Sequence, residues 1–303
     1  MIYTVTLNPA IDFVVSIDNL IAGTINRSES ENIFCGGKGI NVSIMLKELG
    51  LCSIATGFLC GFTGAQIEKE LKDNGITTDF VHLENGFSRI NIKLRGDEET
   101  DINTCGPDVS DFDMHLFLKK LEDIRKDDIL VLSGSAPKNA DDKIYAKILS
   151  KVAKTGVTTV VDCTGKKLLN TLQYKPFLIK PNVAELAQTF NAKISTLHDI
   201  EKYAIKLKNL GAQNVLVSMG EKGAVLFTDS NQVILQSAPK GNVKNTAGAG
   251  DSMVAGFIAG YIKTQDYKYA LKLATACGSA TAFSYSLGKE NEIKKIYELI
   301  ESK

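Results

Sequence analysis

Seven consecutive residues, Asn245-Thr246-Ala247-Gly248-Ala249-Gly250-Asp251, combine an anion site with a base. Two glycines around one alanine let the backbone bend tightly and leave its N–H groups uncovered. Behind them Val254, Phe257, Ile258, Tyr261 and Ile262 recur at the spacing of one helix face, which predicts a helix over 252–262. Its first turn adds unpaired donors and the positive end of the helix dipole. Asp251 stands at the mouth of this turn, where a carboxylate can take a proton from an incoming hydroxyl. At the ordinary aspartate pKa of about 3.9 it would already be ionised at neutral pH. An anion hole beside a base suits phosphoryl transfer. Taken blandly, the same residues are a turn and a helix cap, so the rest of the chain has to decide.

The elements that must hold such a site alternate. Short β-branched runs at 2–7, 53–58, 129–133, 157–161, 177–179 and 215–218 read as strands. Between and after them, helical patterns are read at 39–49, 64–74, 111–124, 141–154, 196–210, 252–262, 267–285 and 291–301. Strand–helix alternation predicts a mostly parallel sheet with helices on both faces, in one domain over 1–303. Polar residues collect where these strands end: Asn8 and Asp12, Ser133-Gly134-Ser135, Asp162, Lys180-Pro181-Asn182, and Ser218 with Gly220. Ligands of open α/β sheets bind outside the carboxyl ends of the strands, so these positions should line one cleft.

Two stretches, 11–35 and 88–104, carry strand patterns with no helix between. In the second, Ile90, Ile92 and Leu94 share one face and Arg89, Asn91 and Lys93 the other. The expectation is a small antiparallel sheet, built from both stretches, lying over the cleft as a lid.

Composition excludes several classes. Lys plus Arg and Asp plus Glu each number 35 in 303 residues, so the net charge favours neither nucleic acid nor an anionic membrane as partner. No run approaches the ~20 apolar residues of a membrane span. Six cysteines are scattered with no C-x-x-C pair and no apolar leader is read at the start, which points to a reducing, cytoplasmic location. Three separated histidines make neither a zinc site nor a Ser-His-Asp triad.

A second glycine-rich start, Cys35-Gly36-Gly37-Lys38-Gly39-Ile40-Asn41, opens another helix with glycines that would admit a ligand. It fits neither the phosphate P-loop nor the dinucleotide fingerprint. Together with Thr6-Leu7-Asn8-Pro9-Ala10-Ile11-Asp12, Lys180-Pro181-Asn182-Val183-Ala184-Glu185-Leu186 and Gly248-Ala249-Gly250-Asp251-Ser252, it resembles the ribokinase-like sugar kinases of the phosphofructokinase-B family over about residues 1–285. That resemblance implies a three-layer α/β/α sandwich and a kinase using ATP and Mg²⁺. It implies Asp251 as base with Gly248, Ala249 and Gly250 as anion hole. Asp12, Gly37, Lys38, Asn41, Asn103 and Ser135 would hold the sugar, with Arg89 and Arg27 on its existing phosphate. Asn182, Ser218, Gly220, Gly223 and Gly278 would line the nucleotide side, and Glu185, Asn182 and Asp162 would position Mg²⁺, mostly through water.

Within the family the resemblance is to kinases that phosphorylate fructose 1-phosphate at its 6-hydroxyl. Tagatose 6-phosphate and fructose 6-phosphate remain alternative acceptors on the same scaffold. A catalytically silent sugar- or nucleotide-binding regulator is the rival of a different class, against which the intact Gly248–Asp251 stretch argues. The resemblance also implies a homodimer through the lid. Thr104-Cys105-Gly106-Pro107 departs from the family's Gly-Pro-Gly-Pro, and Cys35 and Cys163, beside site motifs, suggest sensitivity to alkylation.

Overall fold

The computed structural model describes residues 1–302. In chain order its elements are β1 (Ile2–Thr6), β2 (Ala10–Ser16), β3 (Ser30–Gly36), α1 (Lys38–Glu48), β4 (Ser53–Cys60), α2 (Gly61–Asp73), β5 (Thr77–Leu83), β6 (Arg89–Arg95), β7 (Thr100–Ile102), α3 (Asp111–Lys120), β8 (Ile129–Ser133), α4 (Ile144–Val152), β9 (Thr158–Asp162), α5 (Gly165–Thr171), β10 (Leu178–Ile179), α6 (Val183–Phe190), α7 (Leu197–Asn209), β11 (Asn214–Ser218), β12 (Ala224–Phe227), β13 (Val233–Gln236), α8 (Ala249–Thr264), α9 (Tyr267–Ala282) and α10 (Glu290–Glu301).

The main sheet has the order β13-β12-β11-β10-β9-β8-β1-β4-β5. From β11 to β5 every pairing is parallel, and β12 and β13 close the far edge as antiparallel strands. Both faces are covered, so successive residues of one strand enter different cores. Leu130 and Leu132 pack with α3, α4, α6 and α7, whereas Val131 between them packs with α1, α8, α9 and α10. This is why the strands carry continuous apolar runs instead of alternation. A third cluster joins α2 to Ile40 of α1 and to the lid root at Ile11 and Cys35.

The chain leaves β1 toward β4 and β5 in one direction and returns to β8 on the other side. That reversal opens a crevice between the ends of β1 and β8, the switch point where α/β proteins place ligands.

The second sheet has the order β3-β2-β6-β7. Its outer pairings are antiparallel, as expected, and its central pair, β2 with β6, is parallel. The parallel pair follows from the connections: β2 and β6 continue from β1 and β5, which run the same way in the main sheet. On the face opposite Asp12, Ile33, Phe13, Ile92 and Ile102 form one row across all four strands.

Several elements differ from the sequence reading. β5, α5, α6, β12 and β13 were not anticipated, α9 stops at Ala282 rather than 285, and α8 begins three residues early at Ala249. The last difference has a clear cause. Gly248 takes φ 78° as the N-cap, and Ala249 and Gly250, too small to contribute to an apolar pattern, form the first turn.

Candidate active site

Asp251 therefore lies inside the first turn of α8 rather than capping it. Its carboxylate accepts a hydrogen bond from Asn41 Nδ2 at 2.8 Å and is only 5 % exposed. The Ala249 N–H is taken by the Thr246 carbonyl at 3.2 Å, so the donors left over at this turn are those of Gly248, Gly250 and Asp251. Burial pushes the Asp251 carboxyl up to about 6, with help from the negative charge of Asp162 and against the pull of Lys38, Asn41 and Lys180. The structure thus replaces the unperturbed aspartate expected from sequence with a carboxyl whose pKa is raised toward neutrality.

Four charged groups sit together beside it. Lys38, the first residue of α1, places Nζ 3.3 Å from Asp162 Oδ1 and 3.6 Å from Glu185 Oε1. Lys180, 4 % exposed, places Nζ 3.6 Å from the same Asp162 oxygen. Burial opposes charge on both members of the Lys38–Asp162 pair. The neighbouring carboxylates outweigh it at Lys38 and raise its pKa, while the two ammonium groups outweigh it at Asp162 and hold its pKa low. Lys180 also faces the anion hole, because a Cβ added to Gly250 would stand 2.9 Å from its Nζ. The sequence reading noted Lys180 at a strand end but gave it no role. The available signal was a lysine immediately after a fully buried strand, where a cation is costly unless it is paired.

The orphaned polar atoms gather at the same strand ends. Among the described residues, the buried side-chain atoms without a hydrogen-bond partner are Thr6 Oγ1, Asn8 Oδ1, Ser133 Oγ and Asp162 Oδ2. They belong to the carboxyl ends of three adjacent strands, β1, β8 and β9. Native interiors leave few such groups, and here they gather at the strand ends that flank the crevice.

Across the crevice, Asp12 and Arg89 leave the root of the lid. Asp12 Oδ1 accepts from Asn91 Nδ2 at 2.8 Å. Arg89 donates from Nε and Nη2 to the Asn8 carbonyl at 2.9 and 2.6 Å, which fixes the plane of the guanidinium. Asn8 in turn donates to the Cys105 carbonyl at 3.0 Å, so the Thr104–Pro107 stretch is tied to the end of β1.

Not every expected residue joins this group. Arg27 is exposed in the long β2–β3 connection at the far end of the lid, apart from Arg89 at its root. Asn103 and Ser135 are exposed at the ends of β7 and β8. Asn182 caps α6 and bonds the Glu185 N–H at 2.8 Å, while Glu185 Oε2 bonds the Asn182 N–H at 2.8 Å. That capping box leaves Glu185 Oε1 for the cleft.

Ser218 ends β11, bridged to Asn182, and Gly220 lies in the open turn beyond it. Gly223 is required by the fold: a Cβ there would meet the Gln236 carbonyl at 2.0 Å. Gly278 is buried where α9 crosses α8, with Met253 Cγ 2.6 Å from its would-be Cβ. Gly37 and Gly39 likewise serve packing before ligand approach, since Cβ atoms there would stand 2.7 and 2.5 Å from Thr6. The two cysteines beside the motifs, Cys35 and Cys163, are buried, and desolvation raises both thiols above their ordinary value, which disfavours the reactive thiolate.

For a divalent cation the chain offers Glu185 Oε1 and the orphaned Asp162 Oδ2. No group of three or more His, Cys, Asp or Glu side chains is placed to hold a metal among the described residues. This donor set fits Mg²⁺, which keeps most of its waters and phosphate ligands and takes one or two carboxylates.

A buried carboxylate at a glycine-opened helix start, two paired lysines and an arginine at the lid root are thus brought to one crevice. The family model for pfkB family carbohydrate kinases matches residues 3–294. The chain belongs to that family. As a pfkB kinase it is 42 % identical over 296 residues to the 1-phosphofructokinase of Bacillus subtilis, covering 98 % of this chain and 97 % of that one. It is 40 % identical over 294 residues to the D-tagatose-1-phosphate kinase of Bacillus licheniformis, covering 97 and 96 %. The fold is similar to that of the phosphofructokinase-2 of Escherichia coli, solved with substrates and products, with a TM-score of 0.93 at 27 % identity over 99 % of both chains. That protein has also been solved in a tetrameric inhibited form. No described helix is long and apolar enough to cross a membrane.

Proposed function

We propose that this pfkB kinase transfers the γ-phosphoryl group of ATP to the 6-hydroxyl of a ketohexose 1-phosphate, with fructose 1-phosphate as the preferred acceptor. The observation that carries the reading is the placement of Asp251: a buried carboxylate, held by Asn41, in the turn whose free N–H groups and Lys180 face the same space.

Asp251 takes the proton of the acceptor hydroxyl as its oxygen bonds the γ-phosphorus and the bond from that phosphorus to the bridging oxygen breaks, releasing ADP. The N–H groups of Gly250 and Asp251, with Lys180 and Lys38, neutralise charge on the transferring group. Phosphoryl transfer through a loose transition state needs this alignment and neutralisation more than a strong base. Mg²⁺, held by Glu185 and Asp162 through water, would supply further charge neutralisation on the ATP phosphates. Asp12 and Asn41 orient the sugar, and Arg89 receives its 1-phosphate through the guanidinium edge that Asn8 leaves free. The lid excludes water, which would otherwise compete as acceptor.

Tagatose 1-phosphate is the second reading, favoured by the 40 % identity to a kinase named for that substrate. Tagatose and fructose differ only in the configuration at C4, so both leave the 1-phosphate and the 6-hydroxyl in place. The deciding experiment compares kcat/KM for fructose 1-phosphate, tagatose 1-phosphate, fructose 6-phosphate and tagatose 6-phosphate with Mg-ATP. Preference for a 6-phosphate would overturn the acceptor, and no turnover with any of them would overturn the kinase reading.

The lid row of Phe13, Ile33, Ile92 and Ile102, with Ile33 59 % and Ile102 48 % exposed, is covered in this reading by a second copy of the chain. Sedimentation of wild type against Ile33→Lys tests this: the variant should be monomeric.

A further inference from the structure

Asn91 lies in the middle of β6, on the cleft face, and is 6 % exposed. The β2–β6 register sets it level with Asp12. Its amide is used from both ends. Nδ2 donates to Asp12 Oδ1 at 2.8 Å, while Oδ1 accepts from the Thr104 N–H at 3.3 Å and lies 3.5 Å from Arg89 Nη1. One side chain thus links the carboxylate on β2, the guanidinium on its own strand and the segment that follows β7.

The consequence for Asp12 is geometric. With Oδ1 engaged by Asn91, the carboxylate presents Oδ2 toward Gly36, where a Cβ would stand 3.1 Å from that oxygen. Glycine at 36 keeps this side clear, and the oxygen left over can accept a hydroxyl. No other residue type near this size serves all three links. Leucine offers neither donor nor acceptor, and aspartate would set a second carboxylate against Asp12 and has no donor when ionised.

We propose that Asn91 is a positioning residue for the acceptor sugar, fixing the Asp12 carboxylate and the Thr104 segment so that Asp12 meets the sugar hydroxyls in one orientation. This rests on the sugar-kinase reading above and adds to it a residue that acts only through Asp12. The nucleotide side shares none of these links.

The test is a double-mutant cycle on the full chain, with KM measured separately for the sugar phosphate and for ATP. Asn91→Leu should raise the sugar KM by roughly tenfold or more, the scale of one lost hydrogen bond to a charged group, and leave the ATP KM and kcat within about threefold. In an Asp12→Asn background the same change should add less than about twofold. Fully additive effects, or an equal rise in both KM values, would overturn the proposal. Should Asn91→Leu fail to fold, Asn91→Ala, which is smaller and removes both donor and acceptor, serves in the same cycle with the same criteria. Wild-type protein inactive on every ketohexose phosphate would condemn the kinase reading. An active wild type with an additive cycle would condemn only the role of Asn91.

Discussion

Asn41 and Asp251, 210 positions apart in sequence, are joined by a 2.8 Å hydrogen bond between the first turns of α1 and α8. The bond puts the carboxylate of the glycine-opened turn beside the helix that begins at Lys38. Replacing Asp251 by Asn keeps the shape and removes the base. The expected result is a fall in kcat of about 10²–10⁴ with the sugar KM little changed. A near-normal kcat would remove Asp251 from the chemistry.

The same substitution should stabilise the fold. The folded carboxyl is pushed up to about 6 while an unfolded aspartate titrates near 3.9. Stability linked to this group is therefore complete below about pH 4 and is lost as pH rises through about 6, because ionisation is unfavourable in the folded state. Asp251→Asn escapes that loss. At pH 7.5 the variant should be more stable than wild type by an amount on the order of 2–3 kcal/mol, read as a higher thermal midpoint, and the difference should vanish near pH 4. A variant less stable than wild type at pH 7.5 would contradict this account.

Turnover follows the opposite sign, since the base works only when deprotonated. The kcat profile should fall below about pH 6, tenfold per unit, and level off above it. Asp162 contributes to the elevation, after burial. Asp162→Asn should accordingly move the acid limb to lower pH, whatever it does to the maximum rate. A limb that stays in place would assign it to another group.

Much of this site was legible because its motifs fall at strand ends and helix starts, where local spacing carries the signal. Gly248–Asp251, Lys38 with Asn41, and Glu185 with Asn182 needed no knowledge of distant contacts. Lys180 was not legible as a partner of Asp162, because their pairing depends on β9 and β10 lying side by side. The start of α8 was missed because two small residues carry no periodic pattern. β12 and β13 were missed because they break the strand–helix alternation on which the rest of the reading relied. Nor could burial of Asp251, and hence its raised pKa, be read from a segment whose neighbours come from α1, β9 and β10.

Gly250 separates the anion hole from the fold. A Cβ there would stand 2.9 Å from Lys180 Nζ and 3.5 Å from Cε, the far end of a flexible side chain. Gly250→Ala should displace the ammonium at little expense in stability, since alanine also favours the helix. We expect the thermal midpoint to hold while kcat drops by at least about tenfold, the effect of losing one charge-stabilising contact. Gly57→Ala is the contrasting control: at φ 136°, with the Thr6 carbonyl 2.0 Å from the would-be Cβ, it should unfold the sheet instead.

Arg89 tests where the existing phosphate sits. Two of its N–H groups are committed to the Asn8 carbonyl, which holds the guanidinium rigid near Asp12 with Nη1 3.5 Å from Asn91 Oδ1. A preset fork of this kind suits phosphate oxygens, and its removal should raise the sugar-phosphate KM by roughly 10–100-fold while ATP KM and kcat change little. Arg89→Lys should recover little of the loss. A single ammonium cannot hold the Asn8 carbonyl and present a second donor edge at once. An unphosphorylated ketohexose provides the internal control, because its KM should be nearly indifferent to the substitution. If Arg89→Ala left the sugar-phosphate KM unchanged, the phosphate would have to bind elsewhere in the cleft, with Lys38 the next cation to test.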